Sequence, residues 1–251
     1  MKGVIWWSFG PSIWGSFDTS RIRKIGARLE AFGKHLPDRQ LYSPFIIAGR
    51  AHWTDTWGGI RHAEEGELRP HLGQDVFCDT GDAVLALEAG TVEFTTDPLG
   101  GIVAKLHRPG GGHFYYAHLS RWNTKGFSTG DAVKAGDVIG FCGQSGNASS
   151  TPPHVHFGLN MGGMVNPMQI LVDRLRTAEN RALKKLARVR KDLLGGTMLT
   201  RTKRMYGERF LPNLSTITCV ANPDPFWLAA FGGEELVGLL DAGSAECAGR
   251  A

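Results

Sequence analysis

Three short patches constrain this chain more than anything else in it: H-L-G-Q-D over residues 71–75, Y-A-H-L over 116–119 and H-V-H-F over 154–157. If these patches are strands, successive side chains alternate between faces, so His71 and Asp75 share one face and His154 and His156 share another. Gly73, between the first pair, leaves its face uncrowded. With His118 added, five potential ligands or proton carriers can point into one groove. A lone His is more often a surface or satisfied core residue, and His52, His62, His107 and His113 are read that way. Two same-face pairs in apolar, strand-like contexts are a different matter. Catalytic zinc commonly takes three nitrogen or oxygen ligands and keeps a fourth position open for water, so the spacing points to a metal site.

The surrounding sequence reads as β-structure. Runs of Val, Ile, Leu, Phe and Tyr at 84–87, 91–94, 102–106 and 113–117 alternate with turns bearing Gly, Asp or Pro. The 34 glycines, concentrated centrally, suit many tight turns. The paired G-D-A-V segments starting at Gly81 and Gly130 suggest two similar turn–strand units. The expected fold is mainly β, with antiparallel sheets folded over one another around a groove for an extended peptide. Loops at 97–101, 108–112 and 145–153 should frame that groove, with Asn147, Ser149, Ser150 and Thr151 placed to bond a substrate backbone.

The stretch from Trp53 to Pro167 resembles the catalytic domain of the lysostaphin/LytM-type zinc endopeptidases. The likeness extends past the histidines. Trp57-Gly58-Gly59-Ile60-Arg61 resembles the family's lead-in, Arg69 through Val76 its H-x-G-x-D segment, and Tyr115 through Ser120 its second patch. The G-D-A-V-K-A-G-D-V-I-G-F-C-G-Q-S-G run from Gly130 to Gly146 and P-H-V-H-F-G-L from Pro153 to Leu159 complete it. The resemblance implies one Zn2+ per chain held by His71, Asp75 and His156. His118 and His154 would flank the attacking water as proton carriers, and which does the larger share stays open. It implies hydrolysis of peptide bonds in bacterial cell-wall peptidoglycan by a zinc-activated water, without a covalent intermediate. Gln74 departs from the family's usual aliphatic residue. By parity it points away from Asp75, which predicts a role in packing rather than chemistry.

Two other readings compete. A non-catalytic wall-binding or regulatory module of the same fold would have no need of all five site residues. A phosphocarrier or biotinyl-type domain, suggested by G-D-A-V-K-A-G-D-V-I-G alone, would not need Asp75 beside His71 and should carry a modifiable Lys at a hairpin tip.

The flanks are read from local pattern. Residues 1–50 are an N-terminal arm with a helix around Ile22 to Phe32, 51–169 the zinc-peptidase-like domain, 170–196 an amphipathic helix and 197–251 an extension of unassigned structure. Asn166-Pro167 is a strong helix start, and Leu171, Leu175, Ala178, Ala182, Leu186, Val189 and Leu193 recur on one face. The opposite face, rich in Arg and Lys, is expected to be solvated, with weak contact to an anionic wall or membrane as the alternative. The apolar start of the chain is broken by Ser8, Gly10, Pro11, Ser12 and Gly15 and carries no convincing export signal. A periplasmic or extracellular location is therefore an expectation from the substrate class. No stretch is long and apolar enough to span a membrane. A net charge of +4 slightly favours an anionic wall or membrane surface but by itself decides nothing, and no nucleic-acid partner is expected. Cys78, Cys142, Cys219 and Cys247 lack metal or redox spacing. Cys78, of opposite parity to Asp75, is expected in the core, and the disulfide state is left open.

Overall fold

A computed structural model of the chain describes residues 15–62 and 68–194. The expectations for the apolar start of the chain and for residues 197–251 lie outside the described residues. The chain divides into two units, one comprising residues through Arg23 and Pro37–Asn180, the other Lys24–Leu36 and residues from Arg181 onward.

The first unit is antiparallel β-structure. Its larger sheet runs in the order β1 (Ser16–Asp18), β3 (Ala51–Thr54), β6 (Gln74–Cys78), β14 (His154–Asn160), β10 (His113–Leu119), β9 (Gly101–His107), β8 (Gly90–Asp97) and β12 (Ala132–Val133), with β15 (Met164–Val165) against β14. A smaller sheet runs β11 (Arg121–Trp122), β13 (Val138–Phe141), β7 (Ala83–Leu85) and β2 (Ile47–Ala48), and β4 (Ile60–His62) pairs with β5 (Leu68–Pro70) in a separate ribbon. All these pairings are antiparallel. Strands β1 and β2 bring residues before 51 into both sheets.

Alternation explains which face is buried. On β14, Val155 and Phe157 are fully buried, and on β10 so are Phe114 and Tyr116. Phe114 stacks on Phe157 with ring centroids 5.5 Å apart, and Tyr116 meets Phe157 edge-on at 5.1 Å. The Tyr116 hydroxyl accepts a bond from Leu87 N at 3.0 Å, so its burial leaves no orphaned oxygen.

A disulfide joins Cys78 at the end of β6 to Cys142 just after β13, with Cα atoms 6.3 Å apart. Cys78 is buried as parity predicts. The link crosses from the larger sheet to the smaller beside the start of β14, where Cys78 N donates to Pro153 O at 3.2 Å and His154 N to Gly143 O at 3.0 Å. Its ends are 64 residues apart, for which a loop-closure model gives about 4 kcal/mol of stabilisation. A Cys78→Ala/Cys142→Ala protein should therefore denature at a clearly lower guanidinium concentration. An unchanged midpoint would show that the link contributes nothing to stability.

A short helix α2 spans Asp38–Leu41, and helix α3 spans Met168–Leu194. Asn166 Oδ1 accepts from Met168 N at 2.9 Å, satisfying one of the donors that a helix start leaves open. Within the first unit its Leu171, Val172, Leu175 and Ala178 are buried, and Arg174 pairs with Glu88 at 3.6 Å.

In the second unit Ala182 and Leu186 are buried while Arg181, Lys184 and Arg188 are exposed. Helix α1, Ser20–Ala31, ends there. Gly33 at φ +69° lets its own N–H reach Glu30 O (2.7 Å) and Lys34 N–H reach Leu29 O (2.8 Å), a glycine-dependent helix stop.

Candidate metal centre

The antiparallel pairing of β6 with β14 sets Asp75 directly opposite His156 and Phe77 opposite His154. Period two then turns Asp75, His154 and His156 to the same side. His71 arrives differently. It lies in the loop between β5 and β6, not on a strand, so the parity expected for it does not apply. Two backbone bonds hold it instead: its N–H donates to Gly59 O and its carbonyl accepts from Gly58 N, each at 2.8 Å. Gly73 belongs to the same loop. A Cβ there would come within 2.5 Å of His156 Cε1 and Nε2, so only glycine lets the loop pass under that ring.

His118 is aimed by an irregularity. On β10, Tyr115 and Ala117 face the groove while Phe114 and Tyr116 face the core. Unbroken alternation would send His118 inward with Tyr116. The register between β9 and β10 shifts between Tyr116 and Leu119, and His118 adopts φ 63°, the one positive φ outside glycine among the described residues. Such bulges re-aim side chains, and the left-handed conformation persists only where neighbours enforce it. Here His118 N donates to Gly100 O at 2.8 Å.

All five residues singled out from the sequence therefore line one cavity of ≈ 820 Å³. His71 Nε2, Asp75 Oδ1 and His156 Nδ1 lie within 4.8 Å of one another. His71 Nε2 is 2.8 Å from His156 Nδ1 and 3.0 Å from Asp75 Oδ1, which in turn is 3.2 Å from His156 Nδ1. The His118 and His154 rings sit beside each other with centroids 4.9 Å apart, and His154 Nε2 is 3.8 Å from Asp75 Oδ1.

Hydrogen bonds decide what these atoms offer. His71 Nδ1 donates to Thr56 O at 2.8 Å, His118 Nδ1 to Ser145 O at 2.9 Å and His154 Nδ1 to Pro152 O at 2.9 Å. A carbonyl only accepts, so in each neutral ring the proton sits on Nδ1 and Nε2 keeps its lone pair. The lone pair of His71 Nε2 thus meets a carboxylate oxygen and a second imidazole nitrogen, an arrangement that calls for a cation between them. Tetrahedral zinc at its usual bond lengths places nitrogen and oxygen ligands about 3.3 Å apart. The observed spacings need to open by at most about half an ångström.

The electrostatics agree. Burial works against the charge on Asp75, yet its polar contacts with His156 and His71 outweigh it and hold the carboxyl well below the usual range. Its other oxygen, Oδ2, accepts from Arg61 Nη2 at 2.5 Å, leaving Oδ1 facing the histidines. Burial pushes His156 down. Burial also brings His118 down to about 4, assisted by His154 and His156, although its bond to Ser145 works the other way.

Sequence reading missed several supporting groups. Arg61 stands out in the sequence only as the end of the W-G-G-I-R run. Thr56 and Asp55 carried no signal of their own. Gln74 points away from the site as expected, but it is more than packing: fully buried, it bonds Asp55, Thr56 and Asn166. Tyr115 donates to Asp97 Oδ2 at 2.5 Å on the groove floor, and burial together with that carboxylate raises the phenol well above its ordinary pKa. Asn147 and Thr151 line the cavity, but both side chains are already engaged. With its amide turned so that the nitrogen faces Leu99, Asn147 donates to Leu99 O at 2.9 Å and accepts from Arg69 Nη2 at 3.2 Å, while Thr151 donates to Ala148 O at 2.8 Å. Of the remaining histidines, His113 lines the cavity and His107 pairs with Glu93 at 2.6 Å.

Part of the chain is similar to known proteins. Residues 69–167 match the model of peptidase family M23. The chain is 34% identical over 122 residues to an L-Ala--D-Glu endopeptidase of Bacillus subtilis, covering 46% of this chain and 36% of that protein. It is 37% identical over 90 residues to the glycyl-glycine endopeptidase ALE-1 of Staphylococcus capitis, covering 35% and 24% respectively. Among solved structures, the catalytic domain of lysostaphin from Staphylococcus simulans is 31% identical over 47% of this chain and 90% of that one, with a TM-score of 0.41. The chain thus spans about a third or less of the length of these two curated relatives.

Proposed function

We propose that this chain, which carries a peptidase family M23 domain over residues 69–167, is a zinc-dependent endopeptidase that hydrolyses peptide bonds in bacterial peptidoglycan. The observation that carries this reading is the convergence of the His71, Asp75 and His156 donor atoms within 4.8 Å, with two further imidazoles turned to the same cavity. The curated relatives are named for peptidase action on different bonds, L-Ala--D-Glu in one and glycyl-glycine in the other, so the substrate class is peptidic.

In this reading His71, Asp75 and His156 hold the metal. Zinc supplies Lewis acidity, making water a nucleophile near neutral pH and polarising the scissile carbonyl. Two neutral imidazoles and one carboxylate leave the loaded site with net positive charge, which favours a developing oxyanion. Arg61 holds Asp75 with Oδ1 turned inward. His118, kept neutral by burial and fixed through Nδ1, presents Nε2 as the acceptor for a proton from the attacking water. His154, fixed in the same way beside it, can return a proton to the departing amine or steady the oxyanion. The assignment of those two roles between His118 and His154 is interchangeable in this geometry.

The Cys78–Cys142 disulfide suits an oxidising compartment, in keeping with an envelope or extracellular site of action. None of the described helices is long and apolar enough to cross a membrane.

The test is metal content measured together with loss of turbidity of purified peptidoglycan. One zinc per chain with clearing that stops on chelation is the expected result. Zinc without clearing of walls of several chemotypes would favour a non-catalytic module, and a protein that binds no zinc would sink the proposal.

A further inference from the structure

Gln74 is fully buried, a costly place for an amide unless its hydrogen-bonding capacity is met. It is met in full. Gln74 Oε1 accepts from Thr56 N at 2.8 Å and from the Thr56 hydroxyl at 3.3 Å, and Nε2 donates to Asp55 Oδ1 at 2.7 Å and Asn166 Oδ1 at 3.0 Å. That accounts for two acceptor and two donor positions, all an amide has.

The partner Thr56 is the other half of the argument. Its carbonyl accepts from His71 Nδ1 at 2.8 Å, and its hydroxyl oxygen accepts from Asp75 N at 3.1 Å. One residue thus grips two of the three candidate ligands, through the ring of His71 and the backbone of Asp75. Thr56 lies in the loop after β3, where its carbonyl also accepts a turn bond from Gly59 N at 3.3 Å, while its own N–H and hydroxyl are both held by the amide beneath. Asn166 Oδ1, which Gln74 also engages, is the same oxygen that caps α3. Segments 55–56, 71–75 and 166–168 therefore meet at one buried side chain.

We propose that Gln74 is a positioning residue for the metal centre, acting through Thr56 to fix the tautomer and orientation of His71 and the seat of Asp75. The proposal rests on the zinc reading above. A partner one step out from the ligands, as Thr56 is, typically affects metal affinity by about 10- to 100-fold, and Gln74 acts through it.

The test is zinc affinity of the full chain, measured by competition with a chromophoric chelator, for Gln74→Leu, Thr56→Val, the double variant and Thr56→Ser. Each of the first two should weaken zinc by about 10- to 100-fold. Because they break one relay, the double variant should be no weaker than the worse single. Thr56→Ser, which keeps the hydroxyl, should bind like wild type. Unchanged affinity in both singles, or losses that multiply in the double, would overturn the relay and leave Gln74 a packing residue only. Should Gln74→Leu fail to fold, the contrast between Thr56→Val and Thr56→Ser decides. The metal-free protein gives a second readout: the hydrogen-bonded His71 Nδ1 proton should give a downfield NMR resonance, lost or moved in Gln74→Leu. That resonance separates the relay from the zinc reading, since it is present or absent whether or not the wild type binds zinc.

Discussion

Replacing Asp75, His71 or His156 is expected to abolish zinc retention and, with it, hydrolysis. These residues supply the three donor atoms that converge within 4.8 Å, and catalytic zinc sites commonly rely on three protein ligands. Losing one should cost more than the about 10- to 100-fold that loss of an outer partner causes. Asp75 should be the most sensitive of the three. Asp75→Asn preserves shape, but it removes the negative charge facing His71 and His156 and strips Arg61 of its counter-ion at 2.5 Å. Dialysis against zinc followed by elemental analysis reads the result directly. Full zinc content in Asp75→Asn would show that the carboxylate is not a ligand.

His118 and His154 should behave in the opposite way, retaining metal while losing turnover by about a hundred- to ten-thousand-fold, the span general acid–base groups usually contribute. His118 needs a considered substitution. At φ 63° alanine would add backbone strain to the chemical loss, whereas asparagine tolerates the left-handed region. His118→Asn therefore isolates the imidazole. For His154, flanked by strand pairing on both sides, alanine is adequate. Zinc content near that of wild type, with hydrolysis reduced to that extent, is the expected outcome. Equal zinc loss across His71, Asp75, His118, His154 and His156 variants would remove the proposed division of roles.

Comparing the two groups also shows where the sequence pattern was a sound guide. His154 and His156 share a face because they are two apart on a strand, and Asp75 reaches the same side by its own parity on β6. The apolar stripe through Leu171, Leu175, Ala178, Ala182 and Leu186 is buried as its spacing predicts. His71 joins Asp75 for a reason alternation does not supply: the loop bonds to Gly58 and Gly59 deliver it. Gln74 was placed on the correct face, but its partners, 18 and 92 residues away in the chain for Thr56 and Asn166, gave no local sign of themselves.

The sequence by itself therefore determined what is local: the strand-rich middle, the shared face of His154 and His156, the cap at Asn166 and the stripe of α3. Periodicity is a property of neighbours in the chain, so it is written locally. Only the tertiary structure decided which strands adjoin, and hence that Asp75 faces His156, that Cys78 pairs with Cys142, and that Arg61 closes on Asp75. It alone also turned His118 toward the groove, because a register shift between β9 and β10 overrides the alternation its own strand would impose. Those outcomes depend on contacts between distant segments, whose energies no short window of residues contains.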